Sequence, residues 1–254
     1  MSSAGRAAAL GPPLAAAGWP AHLLALLGGA ASTAAGLALG WRWVLPLLQV
    51  VAGYPIMAWQ LGAGRRGRAV GAMLIWAAGI SVTVIGGVVA APPAHGSAIL
   101  FGPAYWQEMS RWIQTGVGCE SNPRCWLPQH ALHLGLFLVL GLASAGIGAL
   151  AMGALLINYM SYYVGQLAAL SPDPVLVACL AWHPWALLRV VAFVILGVLV
   201  AEPLLRRLRP GERPARDATA LAAAALGLLL LDGLLKYMLA PSWRLLLGQR
   251  VLWP

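Results

Sequence analysis

The sequence predicts an all-α protein, a polytopic transmembrane helical bundle of about seven spans with a short interfacial helix in one outer loop. Three observations predict it. The chain of 254 residues is 61% hydrophobic and only 9% charged, with a mean hydropathy of +0.80, a balance that a soluble monomer does not carry. From Gln129 to Leu205 it is almost uncharged, far longer than the roughly 20 residues that cross about 30 Å of hydrocarbon. Its arginines sit in two clusters between apolar segments, Arg65, Arg66 and Arg68, then Arg206, Arg207, Arg209, Arg213 and Arg216. Short cytoplasmic loops collect positive charge in this way, so the net charge of +9 speaks for membrane orientation and against a nucleic-acid partner.

Taken in order, residues 1–17 are rich in Ala, Gly and Pro and read as a flexible cytoplasmic tail. A three-helix membrane segment, 18–91, follows. Its first span runs from about Gly18 to Gly40 and ends at the interfacial Trp41-Arg42-Trp43. A second span, from about Val44 to Ala63, contains Pro46 and Pro55, and the arginines after it place its end in the cytoplasm. The third, about Ala69 to Ala91, returns to the outside.

The external loop 92–128 balances Arg111 and Arg124 against Glu108 and Glu120. Within it Tyr105, Trp106, Met109, Trp112 and Ile113 recur at helical spacing after Pro103, which predicts a short amphipathic helix seated on the membrane or capping the bundle. Cys119 and Cys125 do not have zinc-hairpin spacing and would pair as a disulfide if the loop faces an oxidising compartment. Cys179 lies in an apolar segment where a small hydrophobe would serve.

The remaining bundle, 129–254, must enter from outside and reach Arg206 inside, which requires an odd number of crossings. Three fit, at about Gln129 to Ile147, Ala149 to Ala169, and Val175 to Leu205, with an inner turn at Ser144 to Gly148 and an outer one at Ser171 to Pro174. His183-Pro184 should break the third, leaving Val175 to Trp182 along the outer interface. Gly141, Gly146, Gly148, Ala151 and Gly153 are small enough for helix backbones to approach. A last span, about Asp217 to Ala240, leads to an interfacial tail with Trp243, Arg244, Arg250 and Trp253. The expected protein is a multi-pass cell-membrane protein with a cytoplasmic N-terminus.

Polar residues inside spans are the functional candidates, because a charge there costs about 2.5–3.5 kcal/mol on insertion scales. Asp232 and Lys236 are one turn apart and are expected to neutralise each other. The alternative is a buried polar site with Arg189, Asn158 and His183. Glu202 is the natural partner of Arg206. Tyr159, Tyr162 and Tyr163 line a cavity or pack as an aromatic cluster. His130 and His133 share a helix face on the side expected for His183, and three imidazoles could take a metal or haem iron, although no carboxylate motif accompanies them. No nucleophile–base spacing or phosphate loop is present, so the chain reads as non-enzymatic and no cofactor is expected.

From Gln129 onward the chain resembles the stage II sporulation protein M family of membrane proteins. The residues that carry the likeness are Leu155-Leu156-Ile157-Asn158 with Gly165, then His183 before the Ala192 to Leu205 helix, then Leu228-Leu229-Leu230-Leu231 running to Pro241. Tyr159 and Pro184 stand where that family has glycine, and its two glutamates would fall near Leu187 and Lys236, so both acidic positions are lost. The resemblance implies a non-enzymatic protein that scaffolds or anchors an envelope complex, with protein partners or self-association in the bilayer. Two rival functions remain from the residues themselves. One is a permease-like subunit whose broken helices surround Asn158, His183, Arg189 and Asp232. The other is a haem- or metal-binding subunit.

Overall fold

The computed structural model describes residues 19–91, 95–207 and 217–253. Those residues form α-helices, a short 3-10 turn and connecting loops, with no strand among them. Seven helices are long and apolar enough to cross a membrane: α1 (Trp19–Leu39), α2 (Val44–Gly62), α3 (Arg66–Ala90), α5 (Pro123–Ala143), α6 (Ile147–Ala169), α8 (Pro184–Arg207) and α9 (Ala218–Gly248). Two shorter helices, α4 (Gly102–Thr115) and α7 (Pro174–Ala181), lie at one end. The expected N-terminal tail and the loop residues Arg209, Arg213 and Arg216 lie outside the described residues.

Packing follows the small residues. α1 lies on α3 because Gly29 and Gly79 let the backbones meet; a Cβ on Gly29 would come 2.5 Å from the Trp76 carbonyl oxygen, and one on Gly79 would come 2.6 Å from that of Leu26. α6 packs on α2 and α3, and α8 joins α5 to α9. Between α5 and α6 the chain turns at Gly146, where φ is +93° and a side chain would strike Ala201 on α8.

One end of the bundle carries Arg66 and Arg206. Arg66, 3% exposed, donates from Nε to Glu202 at 2.9 Å and also pairs with Asp217, while Glu202 takes Arg206 as expected. Arg66 of the first arginine cluster and Arg206 of the second are therefore at the same end, where the shared carboxylates hold α3, α8 and the start of α9 together. The loop face is the other end. There the disulfide Cys119–Cys125 closes the 3-10 turn Cys119–Ser121 onto the first turn of α5.

Two boundaries differ from expectation. α5 begins at Pro123, not near Gln129, because Asn122 caps it by accepting from the Arg124 N–H, and Pro128 is absorbed within the helix. α9 does not stop at Ala240 to leave an interfacial tail. It runs through Pro241 to Gly248, and 31 residues at about 1.5 Å each span ~46 Å, well beyond the hydrocarbon. Its extension is held by Trp243, whose Nε1 donates to the Leu180 carbonyl at 2.9 Å, and by Arg244, which donates to the Ile113 carbonyl at 3.1 Å. α4 caps the bundle: Met109, Trp112 and Ile113 are buried against Tyr163, Leu167, Trp185 and Leu247.

Candidate functional site

A cavity of about 590 Å³ begins under α4 and the 3-10 turn at the loop face, runs between α5, α6, α8 and α9, and reaches Met57 on α2 and Met73 and Trp76 on α3. Its wall is divided. The polar part is made by Tyr105, Glu108, Glu120, His130, His133, Tyr159, Arg189, Asp232 and Lys236, and the apolar part by residues such as Phe137, Leu156, Phe193, Leu226, Leu229 and Leu230. α5 and α9 share no packed seam. Each packs on α8, and they meet at Trp126, whose ring lies beside Gly233 and under Lys236. On the α9 side the cavity is lined by Leu226 (54% exposed) and Leu230 (77% exposed), both in a helix long and apolar enough to cross a membrane.

The charges are closed into two pairs. Arg189 grips Asp232 with both arms of its guanidinium, Nε to Oδ2 at 2.9 Å and Nη2 to Oδ1 at 2.8 Å, the planar fork that a carboxylate fits best. Lys236, one turn along α9, does not pair with Asp232. It reaches Glu120 on the 3-10 turn, and its ammonium lies 5.1 Å above the Trp126 ring. The expected neutralisation within α9 is thus replaced by two pairings between elements, because the burial of Lys236, 2% exposed, demands a full counter-ion and Asp232 is already committed. Burial works to raise the Glu120 pKa, but the charges of Lys236, Arg189 and His183 outweigh it and hold the carboxyl below its ordinary value of 4.5.

Asn158 does not belong to this cluster. It exchanges two hydrogen bonds with Gln49 on α2, at 2.8 and 2.9 Å, and Gln49 also donates to Thr33 on α1 at 2.9 Å. These three buried side chains satisfy one another and tie α1, α2 and α6 together in the middle of the bundle. His183 is also apart from the other histidines. It stacks on Trp185 with ring centres 4.6 Å apart, and its Nε2 lies 3.3 Å from the Tyr163 hydroxyl. Burial lowers its pKa to about 4, so it is neutral near pH 7. His130 and His133 face the cavity, with His130 against Trp126. The three imidazoles therefore form no common ligand set, and among the described residues no group of three or more His, Cys, Asp or Glu could hold a metal ion.

Both expectations for the tyrosines hold in part. Tyr159 lines the cavity, and Tyr105 packs between it and Tyr163 at centroid distances of 4.7 and 5.8 Å. Sequence reasoning missed Glu120, which looked like a balancing loop charge, and Gln49, whose position in the middle of an apolar span was a usable signal. Glu120 had an indirect signal: a buried lysine needs an acid, and the disulfide beside Glu120 pins it to the start of α5. The chain matches no protein-family model, no curated protein and no solved structure.

Proposed function

We propose that this multi-pass membrane protein takes an amphiphilic molecule from the bilayer into the cavity, its polar head against the Glu120–Lys236 and Arg189–Asp232 pairs and its apolar tail along α8 and α9. The observation that carries this is the divided wall, polar toward the loop face and apolar farther along α8 and α9. Energetics supports it as well. Replacing a buried ion pair by well-packed apolar side chains is often neutral or stabilising by about 1–4 kcal/mol, so two such pairs in the wall of a cavity are poorly explained by stability alone. The reading belongs with the permease-like alternative, a polar site where helices are interrupted, here at His183 before Pro184. An envelope-anchoring role draws on no comparable feature.

The arginine end is assigned to the cytoplasm and the disulfide-bearing loop face to the outside, which puts the N-terminus of α1 in the cytoplasm of a cell-membrane protein. Native mass spectrometry tests the proposal. Gly153 lines the cavity, and a Cβ there would have its nearest neighbour at 3.9 Å, so Gly153→Phe places a ring in the open space. The wild type should retain an amphiphile through detergent purification, and Gly153→Phe should lose it while keeping the same gel-filtration profile. Equal retention in both would rule the cavity out as the binding site.

A further inference from the structure

The geometry points to a quinone as the amphiphile and to the Cys119–Cys125 disulfide as its redox partner, an assignment that rests on the cavity reading above. The first ground is charge. Arg189 spends its fork on Asp232 and Lys236 is bonded to Glu120, so a charged headgroup would have to break one of these pairs and strand a buried ion. A neutral head with carbonyl oxygens need not. It can accept N–H bonds that the Lys236 ammonium keeps beyond the one given to Glu120, or one from the imidazole of His130. A flat ring would also find aromatic walls in Tyr105, Tyr159 and Trp126, and a polyisoprenoid tail would leave past Leu226 and Leu230.

The second ground is the position of the two sulfurs. Cys119 is part of the cavity wall, whereas Cys125 is exposed, in the first turn of α5 after the capping Asn122. One end of the disulfide therefore faces the lipid-soluble ligand and the other faces water, where an external dithiol can reach it. A helix N-terminus also favours the thiolate at Cys125, the form that takes part in exchange. The reaction balances without a further reagent. An external dithiol reduces the disulfide by exchange and leaves as its own disulfide. The Cys119 and Cys125 thiols then surrender two electrons and two protons, the S–S bond forms again, and the quinone's two carbonyl oxygens become the hydroxyls of a quinol.

The test uses the full chain in detergent with Cys179→Ser, which removes the one free thiol. The protein is reduced, freed of reductant and mixed anaerobically with decylubiquinone, a fully substituted quinone that does not readily arylate thiols. One quinone should be reduced and two thiols lost per protein, at least tenfold faster than in Gly153→Phe and in Cys119→Ser. Thiols that stay reduced, or a rate unchanged by Gly153→Phe, would overturn the assignment. Native mass spectrometry of the same preparation separates the two levels. A retained lipid with unreactive thiols removes the quinone and leaves the cavity standing, whereas a wild type with no retained amphiphile removes both.

Discussion

Glu120→Gln isolates the most exacting interaction of the site. Lys236 is 2% exposed in its side chain and Glu120 12%, so the substitution leaves a buried ammonium facing a neutral amide. Removing one partner of a buried pair costs about 3–5 kcal/mol, whereas exchanging both for apolar or neutral groups of similar size is close to neutral. Glu120→Gln should therefore lose about 3–5 kcal/mol in reversible SDS unfolding, and Glu120→Gln with Lys236→Met should recover most of it, leaving a deficit of ~1 kcal/mol. The pH dependence has a defined sign. Glu120 has its pKa depressed in the folded state below the ordinary 4.5, so its contribution is present above that value and fades as pH falls through the lowered one. The gap between wild type and Glu120→Gln should be flat above about pH 5 and close in stronger acid. A single variant within ~1 kcal/mol of wild type, or a double variant as unstable as the sum of its singles, would show that the lysine has no need of this carboxylate.

Two further outcomes test the frame that holds the site. Gly29→Ala should destabilise the α1–α3 contact by about 1–3 kcal/mol, since the new methyl would stand 2.5 Å from a backbone oxygen that cannot step aside; unfolding at wild-type denaturant would contradict that packing. In a background with Cys179→Ser, Ala63→Cys beside the arginine end and Val117→Cys on the loop face, both exposed, should react with an impermeant maleimide from opposite sides of oriented vesicles. Labelling of both from one side would remove the assigned topology.

Seven spans, their approximate limits and the break at His183-Pro184 were legible in the sequence because each depends on local quantities: apolar length, proline, and arginine runs that water must hold. The glycines that admit close helix contact were legible for the same reason. Pairing was not local. Asp232 and Lys236 sit one helical turn apart and invite a bond, yet Arg189 comes from 43 residues away and Glu120 from the far side of a disulfide loop to claim them. Asn158 likewise chose Gln49, 109 residues distant, over the ionic cluster to which its polarity alone assigned it. In lipid every buried polar group must find a partner, so the sequence by itself determined which residues needed one. Only the packing of α5, α6, α8 and α9 decided who was within reach, and left between α5 and α9 the cavity on which the proposed function rests.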